Sequence, residues 1–146
     1  MLGYVGTENY TYGELFNEIN AKTGGIFFGI QVFGNAKDNR ITTHMMGIKA
    51  KALYKDLPFV FRMIREILCT SKLDDEKRLY EIIAKMKSRM QMSMVSAGHS
   101  TAVNRALSYF SENSYFQEKI AGIDFYNLID KLEKNFQERK AEIIEI

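Results

Sequence analysis

Apolar residues at 12, 15, 16 and 19 recur with the i, i+3, i+4, i+7 spacing of a single helix face, and predict a helix over 11–22. Thr11 with Glu14 three residues on gives it a capping box, and Gly24-Gly25 ends it. A run rich in Ile, Phe and Val over 26–33 predicts a strand. The polar stretch 34–40, with Asn35, Asp38 and Asn39, is a turn region. A second strand over 41–53 follows, in which Met46, Ile48, Ala50 and Ala52 alternate with Gly47, Lys49 and Lys51. The pair reads as an antiparallel hairpin with one wet face.

Helical spacing dominates the rest. Asp56 before Leu57-Pro58 marks a start with proline in the first turn, and Leu57, Val60, Phe61, Ile64, Ile67 and Leu68 make the apolar stripe. Asp74 is placed to cap the next helix, with Asp75 and Glu76 at its positive end. Leu79, Ile82, Ile83, Met86, Met90 and Met94 continue on one face to about Ala97, where Gly98 interrupts. Ala102, Val103, Ala106, Leu107 and Phe110 mark a further helix. Ser114 with Gln117 reads as another capping box. Phe125, Leu128, Ile129 and Leu132 form the next stripe, and 136–146 a last amphipathic stretch. The expected class is α+β, mostly helical, with helices packed on one face of a small antiparallel sheet. An isolated hairpin is marginal by itself, and both ends of the chain are apolar. The expectation is therefore a single fragment of one domain over 1–146, truncated at both ends.

Bulk properties narrow the function. The 146 residues are 46% hydrophobic and 26% charged, with a formal net charge of +2, an ordinary balance for a globular domain. Basic and acidic residues are interleaved, as in Asp74-Asp75-Glu76-Lys77-Arg78, whereas nucleic-acid binders segregate their basic residues. No apolar run is long enough for a membrane span. Nucleic acid and membrane are therefore not expected partners. The first residues have no signal-peptide or transit character. Cys69 is the single cysteine, so there is no disulfide framework, and the expected compartment is the cytoplasm or another reducing interior.

Candidate chemistry is sparse. The histidines are His44 and His99, and the chain lacks HExxH, HxxEH and CxxC, the spacings that bring metal ligands together. His44, in a strand, reads as a surface side chain. Gly98-His99-Ser100 invites a nucleophile reading, but no G-x-S-x-G elbow is present; the plainer reading is a helix break with His99 or Ser100 as cap. Met86, Met90 and Met94 share a face that reads as core, although methionine surfaces also bind varied peptides. Cys69, beside Leu68, reads as an inert core thiol.

The order of motifs is more specific. Gly6-Thr7-Glu8-Asn9-Tyr10, then Tyr12, Leu15 and Ile19, then Thr23-Gly24-Gly25, resembles the insulinase-type (pitrilysin-like) zinc metallopeptidases. Ser88-Arg89-Met90-Gln91-Met92-Ser93, Gly98-His99-Ser100 and Arg105-Ala106-Leu107-Ser108-Tyr109-Phe110-Ser111 are similar to the presequence-protease branch, in the domain opening its second, non-catalytic half. In the catalytic half of that family HxxEH precedes the GT-x-x-Y stretch, and a later glutamate, at a place Glu76 or Glu81 would match, completes the zinc site. Leu2 to Val5 hold neither His nor Glu. The resemblance therefore implies no catalytic, cofactor or metal residue in this chain, with zinc and catalysis in the other half of a longer peptidase. It implies a role as one wall of a chamber enclosing peptide substrates. Its expected partners are the catalytic half of the same polypeptide and those peptides. A free-standing helical peptide-interaction module and a hydrolase using His99 are the alternatives. An exposed strand edge would also let the fragment dimerise.

Overall fold

In a computed structural model of the chain, residues 2–38 and 40–144 are described, with 142–144 described in backbone only. The chain is α+β and mostly helical: α1 (Tyr12–Lys22), β1 (Ile26–Gly34), β2 (Thr42–Ala50), a 3-10 turn at Tyr54–Asp56, then α2 (Leu57–Thr70), α3 (Glu76–Ser96), α4 (Gly98–Leu107), α5 (Glu112–Ala121), α6 (Ile123–Lys134) and α7 (Phe136–Ile144). Among the described residues the sheet has two strands. Two compact units result: 1–29 with 46–82, and 30–45 with 83–146.

The first unit is built on α1 and α2. Thr11 and Glu14 form the expected capping box, and the Thr23 hydroxyl closes α1 by donating to the Ile19 carbonyl at 2.7 Å. Gly25 then turns at φ +112°, a left-handed conformation open to glycine. Leu15, Met63 and Ile67 are fully buried, and Ile19, Ile26, Phe28 and Phe59 pack on them. Two helices thus cover the Ile26–Phe28 face of β1. The hairpin is pinned at its base by Gly24 N–H donating to the Lys51 carbonyl and at its tip by Asn35 N–H donating to the Ile41 carbonyl. Asn39, expected in the tip, lies outside the described residues.

The second unit packs α4, α5 and α6 in sequence, with Ile83, Ile129 and Phe136 buried. Lys87 on α3 is clamped by Asp130 and Glu133 of α6. Those two carboxylates raise its pKa, first through their hydrogen bonds.

Several local expectations shift. Asp75, not Asp74, caps α3: its carboxylate accepts from the Arg78 N–H at 2.9 Å. Ser111, not Ser114, caps α5, because the backbone is extended at 111 and Ser114 supplies the capped N–H. Ala97 precedes α4 with no side-chain cap, so neither His99 nor Ser100 plays that part. Phe110 falls in the turn after α4 and is exposed. On α2 the buried positions are Val60, Met63 and Ile67; Leu57, Phe61 and Leu68 of the predicted stripe are exposed. The hairpin departs from the expected single wet face. Met46, Ile48 and Ala50 of β2 are exposed as well as Lys49, because two strands with no neighbour offer nothing to cover them.

Candidate functional site

The Gly6–Tyr10 segment is the most tightly organised polar feature of the first unit. Thr7 is buried and forms a bridge with Ser71. Its N–H donates to the Tyr10 carbonyl at 2.8 Å, and its hydroxyl accepts from the Tyr10 N–H at 3.2 Å. Glu8 N–H donates to the Thr70 carbonyl, and Lys72 N–H to that of Gly6. Asn9 donates through its backbone and its side-chain amide to the Glu66 carboxylate. The Thr7 hydroxyl is the leading cause that holds Glu66 below the usual carboxylate range, with Asn9 and Thr70 adding to it. The threonine and the glycine before it thus lock the loop onto the end of α2.

Arg78, on the first turns of α3, completes the surroundings. Its Nε donates to the Tyr4 carbonyl at 2.8 Å, its Nη1 pairs with Glu81 at 3.1 Å, and its guanidinium lies 3.7 Å over the Tyr12 ring. Between these parts opens a cavity of about 400 Å³, lined by Gly6 to Tyr12, Glu14, Lys72, Asp74, Asp75 and Arg78. Its walls present backbone groups, amides, two cations and carboxylates, which can hold a polar chain by hydrogen bonds.

The second unit holds a charged joint. Arg105 Nη1 reaches Glu118 at 3.1 Å and Asp124 at 3.0 Å, and Lys119 pairs with Asp124 at 2.7 Å. Beside it a cavity of about 190 Å³ is lined by Met90, Met94, Ser100, Asn104, Glu118 and Gly122 among others.

The residues singled out in the sequence stay apart. His44 is exposed on β2, its ring 3.8 Å from that of Phe116. His99 and Ser100 are both exposed in the first turn of α4, where neighbouring side chains point about 100° apart. Glu76 opens α3, and Glu81 is engaged with Arg78. Among the described residues no three His, Cys, Asp or Glu side chains come together as a metal requires. The donor set does not fit zinc, and no chemical step is routed through a metal here. Met86, Met90 and Met94 are half-buried and Met92 is exposed, so the stripe is only partly core. Cys69, expected in the core, is exposed: α2 turns Val60, Met63 and Ile67 inward, and Cys69 lies well round the helix from them. The Arg78 stack on Tyr12 was missed; its only sequence signal was an arginine in the first turn of a helix, where a cation opposes the helix dipole.

These features define a mostly helical α+β domain whose organised polar groups converge on a turn and a helix joint. The chain belongs to the peptidase-associated family described as "Peptidase M-16C associated", whose model matches residues 1–132. It is 36% identical over 143 residues to the Protein HypA of Clostridium perfringens, covering 98% of this chain and 14% of that protein. It is 26% identical over 136 residues to the mitochondrial presequence protease of Drosophila melanogaster, covering 93% of this chain and 13% of that one. Presequence protease 1, chloroplastic/mitochondrial, of Arabidopsis thaliana is 22% identical over 135 residues, covering 92% and 12%. The chain thus spans about one seventh or less of the length of these relatives. No helix among the described residues is long and apolar enough to cross a membrane.

Proposed function

We propose that this chain is a non-catalytic, substrate-enclosing part of a zinc-dependent peptidase that degrades peptides. The observation that carries the reading is the family match over most of the chain. Curated relatives named presequence protease, aligned nearly end to end with it, support the same reading. In this reading zinc and the hydrolytic groups belong to the rest of the longer polypeptide, and this segment supplies wall. The cavity around Gly6–Tyr12 and Arg78 suits that role, because backbone and amide groups hold an extended peptide without regard to its sequence. A lone cysteine fits a reducing compartment, cytoplasmic or inside an organelle, and mitochondrial and chloroplastic addresses occur among the relatives' names.

The test uses the complete polypeptide. A photo-crosslinking residue at Asn9 or Lys72, on the cavity rim, is irradiated with an unstructured peptide while a chelator blocks turnover. The expected result is a crosslinked peptide, with chelator-sensitive cleavage in the unblocked enzyme. Cleavage that ignores the chelator, or a peptide that never crosslinks to either position, would remove the proposal.

A further inference from the structure

α2 is apolar on two faces, and one of them is open. Val60, Met63 and Ile67 form the packed face. At about 100° per residue, Leu57, Phe61, Ile64 and Leu68 form a second stripe beside it. Phe61 is 69% exposed, and Leu57 and Leu68 are each exposed too. The approach to the helix continues the patch: Leu53 is 65% and Tyr54 90% exposed. A helix that is apolar round most of its circumference belongs in an interior, and a contiguous apolar patch with a polar rim marks an interaction surface. The rim here is basic. Arg65 follows the stripe round the helix on the side away from the core, and Lys55 lies at its entrance; both are exposed.

We propose that the Leu57–Phe61–Leu68 face of α2 is an internal docking surface, covered in the longer polypeptide by an apolar, acid-rimmed surface from outside these 146 residues. This rests on the function proposed above only in placing the chain within a longer polypeptide. The occupant follows from length and charge. In the three relatives this region accounts for 14%, 13% and 12% of the protein, so most of the available partner surface lies elsewhere in the same polypeptide. A second copy docking the same face would set Arg65 and Lys55 near their own counterparts, because a two-fold interface pairs like with like. A basic peptide would meet like charge as well. An acid-rimmed surface of the same polypeptide meets neither penalty.

Thiol labelling in the complete polypeptide decides it. With Cys69→Ser as background, Phe61→Cys is compared with Gln91→Cys, an exposed position on α3. The Phe61→Cys thiol should label about tenfold more slowly than the reference or slower still, the protection a packed site gives against local opening. Adding Arg65→Glu should restore fast labelling by opposing the acidic rim. Equal rates at the two positions overturn the proposal. So does protection that vanishes on dilution, which would identify a second copy, or protection that Arg65→Glu leaves intact, which would remove the acidic rim. The same preparations are assayed for chelator-sensitive peptide cleavage. Fast labelling in an enzyme that still cleaves sinks the docking surface and leaves the proposed function standing.

Discussion

The Glu118 carboxylate occupies the space that a Cβ on Gly122 would need. Such a Cβ would overlap the carboxylate and come within 2.8 Å of the Glu118 Cα. Glu118 is 2% exposed, and it accepts from the Ile123 N–H at 2.9 Å, the Asp124 N–H at 3.3 Å and Arg105 Nη1 at 3.1 Å. One side chain at the end of α5 therefore caps α6 and neutralises a cation from α4. Gly122→Ala forces this group to move, and it should destabilise the chain by about 1–3 kcal/mol, the usual cost of overpacking. Gly13, within α1, meets nothing within 4 Å; Gly13→Ala should stabilise by up to about 1 kcal/mol through helix propensity. Denaturant unfolding of both variants tests the contrast, and equal midpoints for the two would remove the role assigned to Glu118.

The same joint sets a pH dependence. Asp124 is held below its ordinary value of 3.8, first by the hydrogen bond from Lys119 and then by the charge of Arg105. A carboxyl that binds its proton less readily folded than unfolded contributes stability that is present above the unfolded value. That contribution is lost as the pH falls through the folded value. Stability should therefore level off above the ordinary carboxylate range and fall in acid below it. Asp124→Asn should be less stable at neutral pH and should flatten the acid limb. An unchanged acid limb, measured by urea unfolding across that range, would show that the pairing adds nothing.

The sequence was legible where a local rule left one solution. The Thr11–Glu14 capping box, α1, the hairpin and the long α3 fall where spacing and turn residues put them. It failed where two rules competed. α2 carries apolar residues on two faces, so periodicity alone could not choose between Phe61 and Met63; packing against Leu15 chose Met63 and turned Cys69 out to solvent. The Ser-Glu-Asn-Ser run at 111–114 offers two caps, and the extended backbone at 111 decided it. The polar turn around Thr7 was visible as a motif, but its clasp on Glu66 joins residues 57 positions apart, which no local pattern encodes.

The hairpin gives a prediction about association. β1 carries no charge from Ile26 to Gly34, and Phe27, Ile30 and Phe33 are exposed on it. Uncharged strands with unpaired N–H and C=O groups recruit other chains. The isolated 146-residue chain should therefore show concentration-dependent self-association by sedimentation, and Ile30→Lys, which puts a charge on the exposed strand, should reduce it. A monodisperse monomer at every concentration would show that the chain's own helices protect the edges.

The last prediction concerns metal and catalysis. Cleaving a peptide bond with zinc needs three protein ligands and a water whose pKa the metal lowers to about 7, together with a general base within hydrogen-bond reach of that water. In this chain the two histidines stand on β2 and α4, each exposed. Ser100 follows His99 on one helical turn, where the imidazole and hydroxyl diverge. Glu81 is paired with Arg78, so enlisting it would break that pair and leave the cation over Tyr12 without its carboxylate. A zinc recruited here would have to assemble its ligands by unfolding α3 or α4. Two measurements on the purified 146-residue chain with added zinc check this: elemental analysis after gel filtration, and a fluorogenic-peptide assay. The expected outcome is no stoichiometric metal and no turnover, and His44→Ala with His99→Ala should change neither. One zinc per chain with chelator-sensitive cleavage, lost in the double variant, would show that the chain carries its own site and would remove the non-catalytic role proposed for it.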